Sequence, residues 1–171
     1  MDNLRTLVVD ASQTRLEVAD AIAWVSDPRF GGIATFIGCV RGANLGRVVT
    51  GISYDIFRPL ALHIFADIGA QARREVGDPL KLYIAHACGR LAVGDIAVLV
   101  AAGTPHRDEA FRACRLAIEA VKHASPIWKQ EHYIDGDSAW SEGCSLCDAQ
   151  SAEAGVAVAA GSHQHPHGHR H

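Results

Sequence analysis

Gly94-Asp95 separates two apolar β-type runs, Gly89 to Val93 and Ile96 to Ala102, by only two residues. A connection that short makes the two strands antiparallel neighbours, because a parallel crossover needs a dozen residues or more. An antiparallel or mixed sheet is therefore the expectation, and the remaining segments have to be arranged around it.

Upstream, Leu7 to Val9 reads as a short strand, and the polar Ser12-Gln13-Thr14 is placed to cap a helix from about Leu16 to Val25 that Asp27-Pro28 ends. Gly31-Gly32 opens a second strand, Ile33 to Ile37, which stops at Gly38, and Arg41 to Arg47 reads as a charged loop. Val48 to Phe57 alternates as a strand, and Pro59 suits the first turn of a helix reaching Val76, striped by Leu62, Phe65, Ile68 and Ala72. After Asp78-Pro79, Leu80 to Ala87 is a further strand preceding the Gly94-Asp95 pair. A helix from Pro105 to His123 follows, with Ala110, Phe111, Cys114, Ala117, Ile118 and Val121 at helical spacing, and Ser125-Pro126 ends it. Ile127 to Ile134 and Ser138 to Ser141 form a last pair of strands through Asp135-Gly136-Asp137. The order does not fit simple βαβ alternation, so the expected class is α+β, with helices packed on a largely antiparallel or mixed sheet.

The chain has 171 residues, which suits one domain, taken as residues 1–142, followed by an Ala-, Gly- and His-rich tail over 143–171 in which no structure is expected. A net charge of -3 argues against nucleic-acid binding, which needs a basic surplus on one face. Five cysteines, an odd number in a chain too large to need staples, are expected as free thiols. The N-terminus lacks a signal-peptide pattern, and Ile96 to Ala102 is too short to span a bilayer, so cytoplasm follows by elimination.

Two segments carry candidate chemistry. Thr104-Pro105-His106-Arg107 lies where a strand gives way to a helix, where free backbone N–H groups and cationic side chains can receive a phosphate or carboxylate; the plainer reading is a solvated helix start capped by Thr104. In the second, Lys122 and Lys129 bracket a helix stop beside Trp128 and Glu131. Lysines near other cations and apolar walls can act as acid, base or nucleophile, although on spacing alone the pair is better read as solvated charge. A third feature, Cys144-Ser145-Leu146-Cys147 with His163, His165, His167, His169 and His171, has metal-ligand spacing, but a lone CxxC beside such a tail is weak and no metal site is assigned.

The ordered set Phe36-Ile37-Gly38-Cys39-Val40-Arg41, Asn44-Leu45-Gly46, His106-Arg107-Asp108-Glu109-Ala110-Phe111, Lys122, and Pro126-Ile127-Trp128-Lys129-Gln130-Glu131 resembles the large, catalytic subunit family of molybdopterin synthase, over roughly Gly31 to Trp140. The resemblance implies an α/β-hammerhead-like fold and a sulfurtransferase. Its substrate is cyclic pyranopterin monophosphate, and its sulfur arrives as a thiocarboxylate on the C-terminal glycine of a small ubiquitin-like partner subunit. It implies Lys122 and Lys129 as catalytic lysines, and Arg41, His106 and Arg107 as residues binding the anionic substrate. Cys39, Val40, Gln130 and Glu131 lie in the same segments and are included as substrate contacts, Cys39 standing where the resemblance implies a polar or basic residue. No cofactor belongs to this reading. The competing classes are a binding module that merely holds a phosphorylated ligand or a partner's tail, and a metal-handling protein using the CxxC and the histidines.

One geometric expectation needs no family. An unbroken helix from His106 to Lys122 puts its ends roughly 24 Å apart, too far for one small substrate to touch both. Either the helix breaks, or each pocket takes Lys122 from one chain and His106 and Arg107 from a symmetry mate. The second is adopted, giving a homodimer within a heterotetramer.

Overall fold

The computed structural model describes residues 2–142. In chain order the elements are β1 (Leu4–Asp10), α1 (Val18–Val25), β2 (Gly32–Cys39), β3 (Ala43–Asn44), β4 (Arg47–Ile56), α2 (Arg58–Val76), β5 (Lys81–Ala92), β6 (Ile96–Thr104), α3 (Arg107–Ala124), β7 (Ile127–Tyr133) and β8 (Ser138–Glu142). The class is the expected α+β. All strand pairs among the described residues are antiparallel except β1 with β5, which runs parallel.

β5 organises the sheet. Over its N-terminal half, one edge of the strand pairs with β6, from Lys81 with Gly103 to His86 with Val98. The opposite edge pairs with β1 as far as Cys88, and from Gly89 to Ala92 β5 pairs with β4 instead. Gly89 has φ +90, a left-handed conformation that a side chain disfavours, and it stands where β5 exchanges one partner for the other. The two strands expected at Leu80 to Ala87 and Gly89 to Val93 are thus one bent strand, because the glycine turns the backbone without breaking its pairing. The chain turns at Val93-Gly94, but the expected pairing of Gly89 to Val93 with Ile96 to Ala102 is not what forms: β6 faces Lys81 to His86, because the segment after Gly89 has gone over to β4.

α1 covers one face of the sheet and α2 with α3 the other. Trp24 of α1 reaches the ring of Tyr83 on β5, and a Cβ at Gly103 on β6 would overlap the carbonyl of Val25 at the end of α1, so that close approach depends on glycine. On the opposite face a Cβ at Gly69 of α2 would collide with the side chain of Leu4 on β1. α3 buries Ala110, Ala113, Cys114, Ala117, Ile118 and Val121 along one stripe, the helical period that its sequence carries. Each fully buried aliphatic chain of Val or Ile size contributes about 1.5–3 kcal/mol relative to exposure.

Helix starts differ from expectation. α1 begins at Val18 after Glu17, and no side chain caps it; Ser12 instead bonds Asp10 through both its N–H and its hydroxyl. The N-cap of α3 is His106, not Thr104, which is buried at the end of β6 and donates its hydroxyl to the His106 carbonyl at 2.6 Å. The expected loop from Arg41 to Arg47 contains a small hairpin: β3 pairs with β4 across Leu45 and Gly46, both with positive φ as a tight two-residue hairpin turn requires. Among the described residues no helix is long and apolar enough to cross a membrane, and no group of three or more His, Cys, Asp or Glu is placed to hold a metal ion. The CxxC and the histidine series of the tail lie outside the described residues.

Candidate active site

The period of a strand decides which side chains of β7 meet the protein interior. Ile127, Lys129, Glu131 and Tyr133 are buried, while Trp128, Gln130 and His132 alternate onto the other face. Pairing with β4 sets Lys129 opposite Tyr54 and Glu131 opposite Ile52, so these four share one surface. The β3–β4 hairpin closes over it, and the C-terminal end of α3 delivers Lys122 from the side. The result is a cleft of about 90 Å³ lined by Cys39, Arg41, Asn44, Tyr54, Lys122, Lys129 and Glu131 among others.

Lys129 is not a solvated lysine: it is 7% exposed, and its Nζ lies 3.2 Å from Oε1 of Glu131, itself 5% exposed. Burying a charge is costly unless it is paired and hydrogen-bonded, and both conditions hold here. Oε2 of Glu131 accepts from the Tyr133 hydroxyl at 2.7 Å and from Nδ2 of Asn44 at 2.6 Å. Burial alone would raise the Glu131 carboxyl; the hydrogen bond from Tyr133, the neighbouring Lys129 charge and the donors of Lys129 and Asn44 together outweigh it, so the group stays below the ordinary carboxylate range and ionised. The bond to Glu131, with burial, raises the Tyr133 phenol. Arg47 stacks its guanidinium 3.6 Å above the Tyr133 ring and pairs with Asp135 and Asp137, tying the β3–β4 hairpin to the β7–β8 turn.

Tyr54 forms the inner wall. Burial, reinforced by the Glu131 charge and opposed by Arg41, pushes its phenol up to about 12, so it stays a neutral donor. Behind it lies His86 of β5, 1% exposed, its ring edge-on to Tyr54 with centroids 4.9 Å apart. Nothing in the sequence pattern distinguishes either residue from an ordinary core position.

Of the nine residues singled out by sequence, the cleft gathers five: Cys39, Arg41, Lys122, Lys129 and Glu131. Arg41 and Cys39 are exposed at its rim. Gln130 is turned to the opposite face of β7 and donates to the Ser138 hydroxyl at 2.9 Å, so strand alternation removes it as a contact within this chain's cleft. Val40 is buried outside the cleft, its N–H donating to the Asp95 carbonyl and its carbonyl accepting from Gly94. His106 and Arg107 are exposed at the far end of α3, which is unbroken from Arg107 to Ala124. The helix does not bend to join them to Lys122.

A set of three cations around one buried carboxylate and a neutral phenol suits an anion that must also exchange protons. The sequence profile described as MoaE protein matches residues 11–124. The chain is 44% identical over 139 residues to the molybdopterin synthase catalytic subunit of Synechococcus elongatus, covering 81% of this chain and 84% of that one. Among solved structures it is similar to molybdopterin synthase from Staphylococcus aureus, with TM-score 0.73 and 30% identity, covering 78% of this chain and 94% of the other. It also shares the fold of a chain in the complex of subunits 1 and 2 of molybdopterin-converting factor from Helicobacter pylori, with TM-score 0.59, 23% identity and coverage of 81% and 90%. With the profile spanning most of the folded region and a relative matched over more than four-fifths of its length, the chain belongs to the MoaE family, that of the molybdopterin synthase catalytic subunits.

Proposed function

We propose that the cleft transfers sulfur from the C-terminal thiocarboxylate of a small ubiquitin-like subunit to cyclic pyranopterin monophosphate, building the dithiolene of molybdopterin. Each transfer replaces one C–O bond of a pterin side-chain carbon with a C–S bond, the displaced oxygen leaving on phosphate or as water, and hydrolysis of the donor's acyl–sulfur bond leaves its glycine as an ordinary carboxylate. The two-subunit Helicobacter pylori complex is the arrangement taken over for this chain, and the free cysteines among the described residues, Cys39, Cys88 and Cys114, suit a reducing cytoplasm.

One observation carries the reading: Arg41, Lys122 and Lys129, from a loop, a helix end and a strand, line a single cleft. Arg41 at the rim is exposed and suited to grip phosphate or the incoming carboxylate end of the tail. Lys122 is the principal acid–base group and Lys129, held by Glu131, a fixed positive charge that stabilises the oxyanion of the transfer.

The cleft in one chain is small beside the roughly 300–1,000 Å³ of a site that encloses a drug-sized ligand, so it serves as a floor that another surface must complete. A second copy supplies it. β2 lies at an edge of the sheet, with Ile33, Phe36 and Ile37 of β2 and Phe111 of α3 exposed along it. The Gly32 end of β2 touches Arg107, and its Cys39 end is at the cleft. Two such edges running antiparallel about a two-fold axis carry His106 and Arg107 of each chain toward the cleft of the other. The deciding experiment for the reaction is incubation of the chain with the pterin precursor and a thiocarboxylated small subunit: dithiolene product is expected, and its absence with both substrates bound rejects the assignment.

A further inference from the structure

Beside the cleft lies a second, smaller void of about 10 Å³, lined by Tyr54, His86, Val121, Lys122 and Ile127. Tyr54 and Lys122 line both spaces, so they form the partition between the catalytic floor and the interior. The void is about the size that holds one water molecule, and a water in such a place needs polar partners, which the phenol, the imidazole and the amine provide.

The state of the imidazole follows from its neighbours. Nδ1 of His86 is 2.8 Å from the carbonyl oxygen of its own neighbour Ala87. A carbonyl only accepts, so Nδ1 carries the proton, and in a neutral ring Nε2 is then a bare acceptor. Burial holds the His86 pKa down at about 4, with the Lys122 charge acting in the same direction and the Ala87 carbonyl opposing both, so the ring is neutral throughout the physiological range. Tyr54 fixes the ring from the side in a T-shaped contact at 72°.

We infer that His86 is a positioning residue for the sulfur-transfer reaction: its Nε2 accepts from the Lys122 amine, directly or through one water in the void, and aims that amine into the cleft. This rests on Lys122 being the acid–base group. A long lysine side chain has much rotational freedom, and an acceptor fixed by two rigid neighbours removes it at the one place where the nitrogen must meet the substrate. The valine and isoleucine walls of the void offer no side-chain acceptor of their own. No charge is added to the site, because the ring is neutral.

The test compares His86→Leu and His86→Gln in the complete enzyme with its small subunit. His86→Leu is expected to lower kcat about 10- to 100-fold while the pterin KM and small-subunit affinity change less than about threefold. His86→Gln, which offers an amide oxygen near the place of Nε2, is expected to recover at least tenfold of a hundredfold loss. A kcat in His86→Leu within about twofold of wild type, or a failing Gln variant that melts like wild type, overturns the inference. Ring 15N shifts of His86 provide a second readout that does not need turnover. The Nδ1–H tautomer is expected, with an Nε2 shift that moves in Lys122→Met; an Nε2–H tautomer, or a shift indifferent to Lys122, overturns the inference. Absence of dithiolene in wild type with an Nε2 shift that does respond removes the reaction assignment and leaves the contact standing.

Discussion

Lys129 and Glu131 stand two residues apart on the buried side of β7, their charges 3.2 Å from one another and nearly closed off from water. Each is the condition for the other's burial. Removing one partner of a buried pair leaves an uncompensated charge, whereas removing both leaves none. Glu131→Gln is therefore expected to destabilise the fold by about 3 kcal/mol or more, and adding Lys129→Met to recover some of that loss. Urea denaturation of the two single variants and the double variant measures the coupling. A Glu131→Gln protein within about 0.5 kcal/mol of wild type contradicts this account.

Lys122 stands at the last turn of α3, where its amine reaches the cleft. Its loss should be felt in the chemical step. Lys122→Ala is expected to reduce kcat by about 100-fold or more, with affinity for the small subunit nearly unchanged. Steady-state kinetics beside a direct binding titration separates the two. Parallel loss of affinity and turnover would instead indicate a site that only holds its ligand.

The separation of Arg107 from Lys122 along an unbroken α3 makes complementation informative. Chains carrying Lys122→Ala and chains carrying Arg107→Ala are each expected to be nearly inactive as homodimers. Mixed dimers should regain one intact site of two, about half the wild-type activity per dimer, if each site draws on both copies. Mixtures no more active than either parent, with exchange of chains verified by mass, rule out the shared site. A charged replacement at the β2 edge, such as Phe36→Asp, is expected to give monomers by sedimentation.

His86 makes stability depend on pH in a defined window. Its folded pKa of about 4 lies below the ordinary 6.5, so between these values the unfolded chain binds more protons than the folded one. Stability is then full above about pH 6.5 and falls as pH drops toward 4, by on the order of 3 kcal/mol for this group. His86→Gln removes that contribution. Urea midpoints collected from pH 7.5 to 4.5 should fall less steeply in the variant, and identical slopes would show that the buried ring does not titrate this way.

How much of this is legible in the sequence depends on the range of the interactions concerned. Local rules locate every helix and most strands, because the apolar stripe of α3 and the turn at Gly94 are set by neighbours along the chain. They fail where pairing partners are distant. Gly89 reads as a break because a glycine can end a strand as well as bend one, and only β1 and β4 taking turns on the same edge of β5 show which. The cationic cluster is legible through family resemblance, while spacing alone favours solvent for Lys129. The decisive counter-charge is near in sequence, but Asn44 and Tyr54, which complete the enclosure, come from elsewhere. Gln130 illustrates the reverse: adjacent to Glu131 in a motif, it lies on the other side of the strand. His86 carries no local signal, since a histidine inside an apolar run acquires meaning only from what the fold sets against it.

The alternation along β7 also limits how the gene for such a chain can change length. Lys122 and Lys129 are joined through Ser125-Pro126, the turn between α3 and β7. One residue inserted there, where the turn does not loop it out and β7 slides by one position against β4, would exchange the inward row Lys129, Glu131 and Tyr133 for the outward row Trp128, Gln130 and His132. Substitutions in this stretch can be graded in effect, but a one-residue slip of β7 against β4 is all or none, and which face the lysine of β7 presents is fixed by the parity of a strand.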